Sequence, residues 1–285
     1  MDKEEGLAHL RDAMGPPRFT LNSASVDQPI RDMVRAVKAH GLHGVELWAR
    51  DIVPPLSAPQ LGALMRENGL GISAFQVLRN FEGDRSTSLG ARLAEAENLM
   101  RIMQDIGADT LLVCANTNEQ SSGDARDQVN DLRALAELAG ARGLRIALEP
   151  LAWSRWLNRY ESVWLCVEAV NHPALGIAID SFHWFWGGTP LSFVDRIDMR
   201  RCFVVQLSDA RPDGQRSPMD VARHHRLFPG EGVWPVGELA RRLRAAGFDG
   251  YYNLEVFNDS YRTLGIDDFV TRAVRSIQHI FEEPA

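Results

Sequence analysis

Short apolar runs alternate with longer stretches of helical spacing along most of this chain. The apolar runs predict strands at Phe19–Asn22, Gly44–Trp48, Gly71–Gln76, Thr110–Ala115, Arg145–Glu149, Gly176–Asp180, Cys202–Ser208 and Tyr251–Phe257. Between them, apolar residues recur at helical intervals over Arg31–His40, Ala58–Asn68, Leu89–Ile106, Ala125–Arg142, Glu161–Val170, Pro235–Ala246 and Ile266–Glu282. Four junctions read alike: a helix, then glycine (Gly41, Gly69, Gly143, Gly247), then an apolar strand. Glycine takes the left-handed turn that ends a helix and sends the chain back into the next strand. Repeated strand–helix units without a break in composition predict an α/β fold. The expected architecture is a single (β/α)8 barrel over residues 1–285, with 1–17 as an N-terminal extension. The competing architecture is an open doubly wound sheet, which leads one to look for GxGxxG after the first strand; none is there.

Charge and cysteine content remove several functional classes. The chain has 31 basic and 38 acidic residues, a net charge of −7. That balance, with no dense basic run, argues against a nucleic acid or an anionic membrane as partner. Lys3 and Lys38 are the only lysines, which disfavours Schiff-base and P-loop chemistry. Cys114, Cys166 and Cys202 form no CxxC pair, so a zinc knuckle and a thioredoxin motif are excluded; Cys114 and Cys202 lie in apolar runs and read as core thiols. Met1–Arg18 lacks the apolar centre of a secretory signal, and no apolar run approaches the ~18 residues that span a bilayer. A cytoplasmic protein is the expectation.

Chemistry in such a barrel gathers where the strands end, because those loops share one mouth. Strand five ends in Glu149 and strand six in Asp180; strand seven reaches Gln206 and strand eight Glu255. A charge after an apolar run is costly unless something offsets it. One such glutamate is ordinarily an ion-paired residue. Three carboxylates and an amide on four successive strands instead point to a shared cation. Oxygen donors favour Mg²⁺ or Mn²⁺, with Co²⁺ and Zn²⁺ as further candidates. His183, three residues past Asp180, is either structural or a proton-transfer group. Glu46 at the end of strand two either lines the pocket or supports it from behind. Arg79 after strand three, and His224 and Arg226 in the long loop Arg211–Trp234, are candidates to hold an anionic or hydroxylated substrate. Trp153, Trp156, Trp184 and Trp186 either cap the pocket or pack against a second copy in a homo-oligomer.

Several stretches carry a resemblance. They are Phe75-Gln76 with Arg79-Asn80-Phe81-Glu82-Gly83, Glu149-Pro150-Leu151-Ala152-Trp153, Asp180-Ser181-Phe182-His183, Arg223-His224 with Arg226 and Phe228-Pro229-Gly230, and Leu254-Glu255-Val256-Phe257-Asn258-Asp259. On these the chain resembles the xylose-isomerase-like barrel superfamily of sugar isomerases and epimerases, and within it the bacterial 3-dehydroshikimate dehydratases. The resemblance implies metal ligands at Glu149, Asp180, Gln206 and Glu255, a base at His183, and substrate contacts from Arg79, His224 and Arg226. It also implies a carboxylated cyclic hydroxy-ketone as substrate and protocatechuate as product. His183 or His224 is then the acid that assists the departing hydroxyl. The alternative is a metal-dependent isomerase or epimerase of a ketose or inosose, with Glu149 and Glu255 as acid and base. Gln206, where many sugar epimerases carry histidine, and Arg79 weigh against it. An apurinic endonuclease, which needs more histidines and a basic face, and a non-catalytic binding protein are the remaining classes.

Overall fold

Eight parallel strands close on themselves in sequence order. The computed structural model describes residues 15–282. The strands are β1 (Arg18–Asn22), β2 (Gly44–Trp48), β3 (Gly71–Leu78), β4 (Thr110–Cys114), β5 (Arg145–Glu149), β6 (Leu175–Asp180), β7 (Cys202–Leu207) and β8 (Tyr251–Leu254). Closure comes from β1 against β8, with Arg18 opposite Tyr251 and Leu21 opposite Leu254. The single (β/α)8 barrel read from the strand pattern is therefore the fold, and the open sheet is not. The expected N-terminal extension, 1–17, lies for the most part outside the described residues. Among those described, no helix is long and apolar enough to cross a membrane.

Glycine does what the junctions require: Gly41, Gly69, Gly143 and Gly247 all have positive φ. The sixth crossover, between β6 and β7, is where the sequence shows no helical stretch. No long helix fills it; a short helix, Ser181–Trp186, and two 3-10 turns, Leu191–Arg196 and Met199–Arg201, do. Gly187, Gly188 and Pro190 stop the short helix. The long loop after β7, expected to be irregular, contains a helix at Pro218–His224, whose first turn is capped by the Ser217 hydroxyl accepting from the Asp220 N–H. β8 stops at Leu254, so Glu255 stands just past its last paired residue.

Outside the barrel wall, leucine, valine, isoleucine and methionine side chains pack the helices onto the strands. Part of the barrel interior is polar. Thr20, Ser73 and Asn253 form one buried hydrogen-bonded group, with Thr20 donating to Ser73 at 3.0 Å and Asn253 to Thr20 at 2.9 Å. One pleat further toward the strand ends, Asn22 and Glu255 follow on the same inward faces.

The loop that brings Arg226 to the mouth is fixed by one carboxylate. Asp209 accepts from the backbone N–H groups of Ala210, Gly230, Gly232 and Trp234 at 2.8 to 3.2 Å. Its own backbone pairs with Leu227 in both directions at 2.8 Å. Gly232 is required there, because a Cβ would stand 2.1 Å from Asp209 Oδ1. Asp209 is buried, so its removal strands several donors away from water. Asp209→Ala is expected to lower stability by about 3 kcal/mol or more in denaturant unfolding, with Asp209→Asn intermediate because its amide keeps one acceptor. Wild-type stability in Asp209→Ala would contradict this account of the loop.

Candidate metal centre

The ends of β5 to β8 place Glu149, Asp180, Gln206 and Glu255 inside the mouth of the barrel, all buried. Each lies on or just past a buried strand, so none can turn to bulk water. Glu149, Asp180 and His183 each offer a ligand atom within 4.8 Å of the others. Glu255 joins the group through Arg226, whose Nη1 lies 2.7 Å from Asp180 Oδ2 and 3.2 Å from Glu255 Oε2. The Arg226 guanidinium is itself buried, 4.7 Å from the Phe182 ring centre.

Two buried oxygens in this group, Glu149 Oε1 and Gln206 Oε1, accept no hydrogen bond. A buried acceptor without a donor is costly and calls for an explanation. A divalent cation supplies one, since it satisfies oxygens that no N–H or O–H reaches. The donor set of carboxylates and one amide carbonyl suits such an ion. Glu149 Oε2, by contrast, accepts from the Cys114 thiol at 3.2 Å.

Electrostatics follow from burial among like charges. Burial, then the nearby Asp180 and Glu255 carboxylates, push Glu149 well above the ordinary glutamate range. Burial also raises Glu255, to about 7, against the pull of Arg226. His183 is driven down to about 4, chiefly by burial, so its ring is neutral at neutral pH. The ring's Nδ1 accepts from the Ala152 backbone N–H at 3.1 Å. The neutral ring therefore keeps its proton on Nε2, which lies 3.8 Å from Asp180 Oδ2. Nε2 carrying a proton is a donor and not a metal ligand.

The other expected residues divide. Arg79 is exposed and lines the mouth of the cavity beside Cys114, Glu149, His183 and Glu255, its guanidinium 5.7 Å from the Trp48 ring centre. Arg226 also reaches the cavity, but its Nε and Nη1 are committed to Ala222, Asp180, Ser208 and Glu255. In this arrangement it is an internal counter-charge to Asp180 and Glu255. His224 does not join the group: it is exposed, with Nδ1 3.1 Å from both oxygens of Asp259, and Arg223 takes its place on the cavity wall. Glu46 is fully buried and does not line the cavity. Asn22 and Gln76 were missed. Both sit at predicted strand ends after apolar runs, and the same positional rule that found Glu149 points to them once amides are counted with acids.

The family description "xylose isomerase-like TIM barrel" matches residues 34–281. The chain belongs to that family. It is 35% identical to a 3-dehydroshikimate dehydratase of Pseudomonas putida, over 93% of this chain and 42% of that protein. It is 27% identical to a 3-dehydroshikimate dehydratase of Neurospora crassa, over 85% of this chain and 87% of that one. A solved xylose isomerase-like TIM barrel/4-hydroxyphenylpyruvate dioxygenase fusion protein superposes with a TM-score of 0.89 at 34% identity, over 93% of this chain and 43% of that chain. The chain thus spans less than half the length of its Pseudomonas relative.

For this member of the xylose isomerase-like barrels, the raised carboxyls set the pH dependence of cation binding. Protonated Glu149 and Glu255 must lose their protons to bind a cation. Affinity should therefore rise with pH and fall as pH drops through about 7. Mn²⁺ titration calorimetry at pH 8 and pH 6 is expected to show binding weaker by about tenfold or more at the lower pH, with proton release visible on changing buffers. A pH-independent affinity would mean these carboxyls are not the ligands.

Proposed function

We propose that this chain is a divalent-metal-dependent dehydratase that converts 3-dehydroshikimate to protocatechuate. The observation that carries the reading is the pairing of two features in one cavity: a buried oxygen-donor centre, and at its mouth Arg79, which has no carboxylate within ion-pair distance among the described residues. The first suits a hydroxy-ketone and the second a carboxylate. The identity to dehydratases of Pseudomonas putida and Neurospora crassa supports the same substrate.

Glu149, Asp180, Gln206 and Glu255 would hold the metal, Mg²⁺ or Mn²⁺ by its donor set. When bound, the metal supplies a Lewis acid that stabilises negative charge on the ketone oxygen. Arg79 clamps the substrate carboxylate with its planar fork and so fixes the ring's orientation. The C–H bond beside the ketone breaks, the electron pair moves toward the ketone, the β C–O bond breaks, and the hydroxyl leaves with a proton as water. Loss of water and enolisation leave the aromatic product. His183 stands next to this centre, and we assign it the proton transfer. Taking a proton at Nε2 requires the ring proton on Nδ1, which gives up the contact with Ala152. With the proton on Nε2, the ring would instead donate a hydrogen bond to a substrate oxygen. Trp153 packs edge-on against the ring at 5.2 Å and keeps it in place.

Two experiments test this. Metal-loaded protein mixed with 3-dehydroshikimate should develop the ultraviolet absorbance of protocatechuate. Arg79→Lys, which keeps the charge without the fork, should raise KM by about tenfold or more. Efficient turnover of a neutral ketose, indifference to Arg79 and no action on 3-dehydroshikimate would favour the isomerase alternative. For His183, removal of the side chain should keep the metal and cost about 10²-fold or more in turnover. His183→Gln separates the two roles: a glutamine can donate a hydrogen bond but cannot take a proton. Loss as large as in His183→Ala identifies proton transfer, whereas substantial retained activity identifies a donor.

A further inference from the structure

Glu46 is a buried acid next to the site that the reaction above does not use. It sits inside β2 with no exposed surface, behind the cavity wall. Its Oε1 receives three side-chain amides: Gln206 Nε2 at 2.8 Å, Asn22 Nδ2 at 3.3 Å, and Gln76 Nε2 in a close contact. The same three amides also reach Glu255 Oε1, at 3.3, 2.9 and 3.2 Å. A carboxylate oxygen is an acceptor, so an amide facing it turns its NH2 that way. Gln206 has then no freedom of orientation. Its nitrogen is held most closely by Glu46 and also reaches Glu255, and its carbonyl oxygen is left buried without a donor.

We infer that Glu46 is a positioning residue, which acts through Gln206 by fixing the side-chain amide with its carbonyl oxygen toward the metal site. The inference rests on the metal-centre reading. It gives a reason for an acid on β2 that touches neither cavity nor solvent. A glutamine has the same size and reach as a glutamate, but it can donate as well as accept. Glu46→Gln therefore permits the Gln206 amide to turn over and present NH2 to the cation. Glu46→Asp keeps an acceptor at the cost of a methylene.

These variants separate positioning from packing. If Glu46 only fills space, the isosteric Glu46→Gln is mild and the smaller Glu46→Asp is worse. If it orients Gln206, the order reverses. The measurement is Mn²⁺ titration calorimetry of the wild type, Glu46→Gln, Glu46→Asp, Gln206→Ala and the double variant Glu46→Gln/Gln206→Ala, with circular dichroism to establish folding. Glu46→Gln is expected to weaken Mn²⁺ by about 10- to 100-fold, the usual range for a residue that orients a ligand, and Glu46→Asp by less. With Gln206 removed, Glu46→Gln should add less than about twofold, because the group it acts through is gone. Unchanged Mn²⁺ affinity in Glu46→Gln, the packing order of effects, or the same loss with and without Gln206 would overturn the assignment. If the wild type binds no divalent ion, the metal-centre reading falls and takes this one with it; that result is distinct from a wild type that binds and variants that do not differ.

Discussion

A buried guanidinium holds together the charges on which this site depends. Glu46, Glu149, Asp180 and Glu255 share the interior of the barrel mouth, and Arg226 lies among them with one nitrogen between Asp180 and Glu255. Four carboxyls out of water repel one another strongly when ionised, which is why burial and their neighbours raise Glu46, Glu149 and Glu255. One fixed positive charge offsets part of that repulsion, and a divalent cation can meet the rest as the carboxyls release their protons. The position of Arg226 depends in turn on Asp209, which gathers the backbone of the long loop after β7. A loop anchor some residues away therefore sets the electrostatics of the centre.

Two kinds of residue share the barrel interior. Glu149 and Glu255 line the cavity, Glu46 lies behind its wall, and side-chain amides stand among these carboxyls as donors. Asn22, Gln76 and Gln206 contribute NH2 groups without adding charge, so they hold Glu46 and Glu255 in place and leave the charge balance alone. Above this layer the cavity wall changes character. Trp48, Trp153 and Phe257 line it with aromatic faces, and Arg79 stands at the rim.

The barrel and the four buried polar residues at its strand ends were legible in the sequence for one physical reason. An inward strand position buries whatever follows an apolar run, so a polar residue there has to answer to another group. That reasoning depends on strand period and strand end, which the sequence displays. It gave no direction for side chains on loops. His224 and Arg226 are two residues apart in the same loop, yet one faces Asp259 in solvent and the other lies buried between two acids. Glu46 was legible as an inward acid, but not its partners, the amides of Asn22, Gln76 and Gln206 on three other strands. The sixth crossover was illegible for a different reason: its helix is six residues long, too short for a helical period to register.

The account stands on a single cation held by oxygen donors from β5 to β8. The direct test is anomalous diffraction from crystals grown with Mn²⁺. One anomalous peak is expected, within bonding distance of Glu149, Asp180, Glu255 and the Gln206 carbonyl oxygen, with His183 Nε2 outside the coordination shell. A peak bound by His183 in place of Gln206, or none among these residues, would contradict it.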